Sequence, residues 1–452
     1  MAVSGSNGCK AMLGNDGCKA LLYPPLPRQS EFDVNLVSSD WRIAGAGVWA
    51  YGHTSQTYPS PYWVGWNTYT PPGGNPGEVI AQEYYYDAGH TFYMIADYTG
   101  DSQWTTIARK AVTYYLNYIE QVDPGRFAMN PRRSGQSAQN NMPYGVYLEW
   151  QRNSDPTQKE RARQVLFALA MNDSFGTGES AWNTLVDLFY AREISYNVTA
   201  KYLALLAGYN AYYGVDPWGL TDALLIGRLY LYADQAISLL QGGNGGLGSD
   251  GNPITTNHKY VRPFMMANIA QALMLHYEAT GDSRVIPKLE TLFNLLWTVC
   301  YRENGITMSA TLPDGTTPSP TPGFVYGYNS FTYTDAQHTE IADWGDSGLG
   351  SAAISPTTWV DRGGGNWDVP KESSIWPVPE LNGLVLPVYW WLYQQTGTVA
   401  YRDKADLLFD GMIRVSNLNS LHGTEVAQPY INYGKIFNQM YSRIGEYVEA
   451  RK

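Results

Sequence analysis

One pattern constrains this chain of 452 residues more than any other. An apolar segment ends in a polar turn carrying Thr-Gly, and a charged amphipathic segment follows. The pattern reads MIADYTGDSQWTTIARKAV from residue 94, LHYEATGDSRVIPKLETLF from 275 and LYQQTGTVAYRDKADLLFD from 392. Gly100, Gly281 and Gly397 fit the left-handed position that ends a helix, and Asp101 and Asp282 can accept the unpaired N–H groups of the next one. YLEWQRNSDPT is a variant in which Pro156 follows the capping Asp155. A further pair is expected from about Ile194 to Gln241, broken at Gly214 to Gly219. The chain therefore reads as a series of helical hairpins.

The two members of each hairpin differ. AGHTFYMIADY, RPFMMANIAQALMLHY and GLVLPVYWWLY are apolar nearly all round, whereas PTQKERARQVLFALAM and YRDKADLLFDGMIRV carry charge on one face. A helix that is apolar all round is buried, and a one-sided helix covers it. Alternating inner and outer helices, at spacing too irregular for an open solenoid, point to an all-α protein closed on itself. In these respects the region from 78 to 448 resembles the (α/α)6 toroid superfamily, which includes six-hairpin glycosidases and several polysaccharide lyases. The resemblance implies a ring of inner helices inside a ring of outer ones. It also implies a carbohydrate substrate bound where the inner helices begin.

Two stretches break the helical rhythm. Residues 1–77 form an irregular N-terminal arm, followed by the helical domain over 78–452. Between Arg42 and Glu78 the arm has no charged residue and is rich in Gly, Pro, Trp and Tyr. Its first 28 residues contain a tandem repeat around Cys9 and Cys18 and then a Pro-rich linker, a candidate for docking on a protein assembly partner. A zinc site there lacks further ligands. Residues 301–371 form an insertion over one mouth of the ring, within which GFVYGYNSFTYT alternates like a β-hairpin.

Composition narrows the partners. The formal charge is −11 and no basic run occurs, which argues against nucleic acid. The longest apolar stretch, near Leu384 to Tyr393, falls far short of the ~20 residues that span a bilayer, and Lys10 and Lys19 interrupt any leader-like segment. Localisation is left open between cytoplasm, virion and another route of release. The 36 tyrosines outnumber all 30 lysines and arginines together. Sugar rings present C–H faces to aromatic side chains and hydroxyls to polar ones, so this composition suits a poly- or oligosaccharide.

The candidate residues lie at entrances to inner helices. For a glycoside hydrolase, two carboxyl groups must flank the scissile bond, one with a raised pKa. Asp87 in QEYYYDAGH is the first choice and Glu380 in VPELNG its partner. For a β-eliminating polysaccharide lyase, a base, an acid and a carboxylate neutraliser are needed. NHKYVR offers them in His258, Tyr260 and Arg262; on a helix His258 and Arg262 would share a face, with Tyr260 turned away. Glu83, His90, Asn141, Tyr144, Asn257, Trp344 and Trp376 are candidate substrate contacts, and Glu193 and Tyr196 occupy another entrance. Trp297, Trp390 and Trp391, inside apolar helices, read as core. Hydrolysis is preferred, with elimination and a non-catalytic glycan-binding or virion-type assembly role as alternatives. No metal or cofactor is expected.

Overall fold

The computed structural model describes residues 84–100, 102–122, 141–171, 188–209, 219–241, 260–302, 323–324, 328–329, 332–334, 360–363, 366–368, 381–421, 438–439 and 442–450. The arm over 1–77, its docking segment over 1–28 and its cysteines lie outside the described residues. Within them the chain is helix-dominated. The helices are α1 (Ala88–Thr99), α2 (Ser102–Val122), α3 (Pro143–Arg152), α4 (Pro156–Ala170), α5 (Leu188–Leu206), α6 (Gly219–Leu240), α7 (Pro263–Thr280), α8 (Val285–Cys300), α9 (Asn382–Thr396), α10 (Val399–Leu421) and α11 (Gly445–Ala450).

The hairpin punctuation works as its chemistry requires. Gly100, Gly281 and Gly397 take φ of 66°, 72° and 70°. Each donates its N–H to the carbonyl four residues back, at 2.8, 2.7 and 2.8 Å. Asp155 caps α4 through Thr157 N at 2.8 Å; Asp282 does not cap α8, whose N-cap is Arg284 without a side-chain bond, and accepts instead from Arg284 N at 3.1 Å, while Asp101 lies outside the described residues. The expected hairpin near 194–241 is present as α5 and α6, with α5 beginning earlier, at Leu188.

The two kinds of helix separate by burial. In α7 every residue from Pro263 to Leu273 is buried, and α9 is buried from Asn382 to Leu392 except at Pro387. The next helix, α8, buries only Val285, Leu289, Leu292, Phe293, Leu296 and Cys300, a single stripe at helical spacing. Within hairpins α1 packs on α2, α3 on α4 and α9 on α10. The first members also pack on one another in sequence, α1 on α3, α3 on α5, α5 on α7 and α7 on α9, and α11 lies against α1.

The tyrosines explain themselves in this core. Tyr84 and Tyr115 stack with ring centroids 4.6 Å apart. The Tyr389 hydroxyl donates to Phe293 O at 2.7 Å, the Tyr447 hydroxyl donates to Asp406 at 2.7 Å, and the Tyr115 hydroxyl accepts from Met142 N at 3.0 Å. A buried tyrosine thus supplies aromatic volume and a polar tie between elements. A chain poor in charge gains specificity from such ties.

The strands are short. GFVYGYNSFTYT is not a local hairpin: its three strands each pair elsewhere. β3 (Gly323–Phe324) pairs with β2 (Tyr301–Arg302), β4 (Tyr328–Asn329) with β1 (Tyr260–Val261), and β5 (Thr332–Thr334) with β7 (Asn366–Asp368). The alternation is a strand signal, but the partners come from distant positions. A hairpin does occur further on, where β6 (Val360–Gly363) pairs antiparallel with β7.

Candidate functional site

The turn into α1 shapes one wall of the site. Among the described residues only Tyr86 and Asp87 are non-glycine residues with positive φ, at 64° and 71°. Such backbone costs of order 1–3 kcal/mol per residue and persists where its surroundings enforce it. Here the enforcement is visible. The Asp87 carboxylate accepts from His90 N at 3.0 Å, from Gly145 N of α3 at 3.1 Å and from the Tyr84 hydroxyl at 3.4 Å. The helices approach closely because Gly145 has no side chain, since a Cβ there would stand 2.6 Å from Asp87 Oδ1 and 2.8 Å from His90 N. This contact sets His90 and Tyr144 side by side, their rings stacked at 4.9 Å.

Burial dominates the titration of this wall. It pushes the Asp87 carboxyl up to about 6 despite the opposing hydrogen bonds from Gly145 and His90. It pulls His90 down to about 3, helped by the charges of Arg443 and Arg152, so the imidazole is neutral at ordinary pH. The Tyr144 hydroxyl is held well above its usual range by burial; Arg443 opposes the shift, while Glu278, Asp87 and Glu446 add to it.

His90 and Tyr144 line a cavity of about 120 Å³. Opposite them α7 contributes Gln271, Met274 and Glu278, and α9 contributes Trp390 and Trp391. The segment leading into α11 contributes Ser442 and Arg443, and α11 itself Glu446. Glu278 is part-buried and accepts from Trp391 Nε1 at 3.1 Å. Desolvation raises its carboxyl to about 7, with the tryptophan bond opposing. Arg443 donates to Asn268 Oδ1 at 3.0 Å, and its charge opposes the rise that burial imposes on the Tyr196 hydroxyl of α5. One space is therefore lined by two carboxyl groups, a guanidinium, a neutral imidazole, two phenols and two indoles.

The residues singled out from sequence divide into three groups. His90 and Tyr144 line the cavity, and Tyr196 does not. Asp87 sits behind them as the N-cap of α1 and does not line the space. Asn141 ties two elements, its Nδ2 donating to Leu169 O of α4 at 3.2 Å. Asn382 does the same to Leu408 O of α10 at 3.0 Å, so an asparagine at an inner-helix start pins the outer helix of its own hairpin. Tyr260 lies in β1 opposite Asn329, and Arg262 is buried at the start of α7. The helical reading of NHKYVR thus fails over 260–262, where the backbone is extended before Pro263. Glu83, Asn257, His258, Trp344, Trp376 and Glu380 lie outside the described residues.

Sequence reasoning missed Glu278, Arg443 and Glu446. Trp390 and Trp391, read as core, do belong to the buried core, and they also line the cavity. One signal could have found Glu278. It stands three residues before its capping glycine, as Asp97 stands before Gly100, at a helix end otherwise apolar. Among the described residues no group of His, Cys, Asp and Glu is arranged to hold a metal ion, and no helix is long and apolar enough to cross a membrane. Comparison with models of protein families, with curated proteins and with solved structures finds no match to this chain.

Proposed function

We propose that the chain is a glycoside hydrolase of (α/α)6-toroid type whose acid–base pair is Glu278 and Glu446, working inside the ring of inner helices. The toroid is supported by the succession of contacts α1–α3–α5–α7–α9 together with α11 on α1, and by Trp390 of α9 meeting Tyr447 of α11 at 5.5 Å. The observation that carries the activity is the pairing, in one cavity, of Glu278, raised to about 7, with a second carboxyl group, Glu446. Glu278, protonated in part at neutral pH, donates its proton to the leaving oxygen as the glycosidic C–O bond breaks. Glu446 supplies the opposing carboxylate that a water molecule or the anomeric carbon meets. Trp390 and Trp391 give flat faces for the ring. Asp87 becomes a positioning residue that fixes His90 and Tyr144.

The test is incubation of the full chain with a panel of neutral and acidic polysaccharides, scored for reducing ends and ultraviolet absorbance. The expected result is new reducing ends without absorbance, lost by at least about 100-fold in Glu278→Gln, the scale of general-acid catalysis. In the native protein, activity should fall as pH rises through about 7 and Glu278 loses its proton. Cleavage unchanged in both Glu278→Gln and Glu446→Gln would overturn the assignment. A second reading, β-elimination, is favoured by the neutral His90 stacked on Tyr144 near the Arg443 cation. There the absorbance of the conjugated product would rise with each cleavage.

A further inference from the structure

We propose that Lys404 is a lysine methylation site, and that an aromatic box around its amine holds the dimethylammonium form. None of the side chains concerned lines the cavity, so the site stands apart from the function proposed above.

The first observation is the set of partners around the amine. Lys404 Nζ, on α10, lies 5.2 Å from the centre of the Trp297 ring and 5.5 Å from those of Tyr389 and Tyr401. Its hydrogen-bond acceptor is Asn294 Oδ1 of α8, at 2.9 Å. Lys288 of the same helix pairs with Asp234, whereas Lys404 has no carboxylate within ion-pair distance among the described residues. An ammonium carries three N–H donors. Asn294 takes one, and the other neighbours are rings, which attract a cation through their faces.

The second observation is that the box is fixed independently of its occupant. Tyr389 is fully buried and donates its hydroxyl to Phe293 O at 2.7 Å. It stands between the other two rings, 5.4 Å from Trp297 and 6.4 Å from Tyr401. The Tyr401 hydroxyl accepts from Asn294 Nδ2 at 2.9 Å and donates to Glu290 at 3.1 Å. Those bonds orient the Asn294 amide, so its oxygen is the atom that meets Lys404. Trp297 is held from behind by Tyr301, stacked at 3.8 Å.

Two methyl groups suit these surroundings. A C–N bond of about 1.5 Å aimed at a ring brings the methyl carbon to about 3.7–4.0 Å from its centre, near the optimum for carbon contacts. Dimethylation keeps the charge that the rings attract and the one N–H that Asn294 accepts. Trimethylation removes that N–H, and acetylation removes the charge. Lys404 is half-buried on a flexible four-carbon stem, so the amine swings out to meet a methyl donor and returns. Burial holds its ammonium below the ordinary lysine range, which eases loss of the proton that blocks attack. In each of two rounds the freed nitrogen lone pair takes the methyl carbon of a sulfonium donor. The C–S bond breaks with its electron pair left on sulfur as a thioether, and the amine proton passes to water.

The experiment has two arms. In the full chain isolated from its own organism and digested, the fragment carrying Lys404 should show the mass of two added methyl groups. In the second arm, unmodified full chain is dimethylated with isotopically labelled formaldehyde and dimethylamine–borane. Each methyl carbon then comes from formaldehyde, whose oxygen leaves as water, and its extra hydride from the borane. The Lys404 methyl signals, identified by their absence in Lys404→Arg, should lie upfield of those of the other lysines in NMR spectra, shielded by the ring faces. Trp297→Leu should move them toward the common position, and Trp297→Tyr, which restores a ring, should keep part of the displacement. Cooperative thermal unfolding of both variants establishes that they are folded. Methyl signals at the position of the other lysines, or an amine that stays unmodified while the others react, overturns the proposal. So does a native fragment that carries anything other than two methyl groups on Lys404.

Discussion

Two polar centres flank α7, and they are built on opposite terms. His276 and Glu278 are only two residues apart. His276 joins a network outside the cavity, with Nδ1 2.6 Å from the Tyr202 hydroxyl and Nε2 3.1 Å from Asp282. Asp282 also accepts from the Tyr230 hydroxyl at 3.2 Å and from Arg284 at 2.6 Å. Those bonds, Arg284 first, hold the Asp282 carboxyl well below the usual range. Glu278, on the cavity side, has Trp391 as its hydrogen-bond donor, and burial drives its carboxyl the other way. A satisfied carboxylate stabilises the hairpin that carries it. A desolvated one keeps its proton near neutrality, which is a capacity for chemistry.

The comparison can be broken most severely at the wall of the cavity. Gly145→Ala places a methyl group against Asp87 Oδ1, His90 N and the Gly89 backbone. We expect a loss of about 3 kcal/mol in urea unfolding, typical of overpacking against backbone, together with loss of sugar binding. Glu278→Gln should have the opposite sign. The folded-state pKa of Glu278 is raised from 4.5 to about 7, so its contribution to stability declines as pH rises through that interval. Removing the titration should therefore stabilise the protein by about 2 kcal/mol at pH 8, after discounting for partial exposure, and by nothing near pH 4.

Asp282→Asn tests the satisfied centre. It should cost about 1.5 kcal/mol at pH 7, the scale of charge-assisted hydrogen bonds, without affecting ligand binding. Because the folded Asp282 carboxyl lies below its ordinary 3.8, this contribution is present above that pH and is lost as pH falls through the folded value. Chemical denaturation at pH 7 and pH 2.5 should show the cost shrinking. The smallest effect is expected for Asn141→Ala, about 1 kcal/mol from stranding Leu169 O, with binding unaltered. A loss of sugar affinity there would return Asn141 to the site.

What could be read from the sequence was the local grammar. Thr-Gly turns announce left-handed helix ends because few residues other than glycine adopt that backbone, and Gly100, Gly281 and Gly397 all do. Burial along α7 and α9 follows equally from their apolar circumference. His90 and Tyr144 were legible as inner-helix entrance residues. Arg443 and Glu446 were not, because SRIGEYVEA is an ordinary short helical sequence whose meaning depends on where it docks. Trp390 and Trp391 were legible as core, but not as cavity lining, because α9 faces both packed neighbours and the cavity and apolar periodicity does not separate the two. The tie made by Asn141 was not legible, since its carbonyl partner is 28 residues further on.

The segment around α11 has a consequence for how the protein comes into being. Asn438 Nδ2 donates to Tyr85 O at 2.9 Å across 353 residues of chain, Arg443 reaches back to Asn268, and Tyr447 to Asp406. Contacts so remote require the largest loop closure before they return any stabilisation, so they form late. During vectorial synthesis, α1 through α10 emerge from the ribosome before this clasp exists. The cavity is therefore completed only after α10 has formed, and proteolytic release of residues 438–450 should open it while the earlier hairpins stay intact.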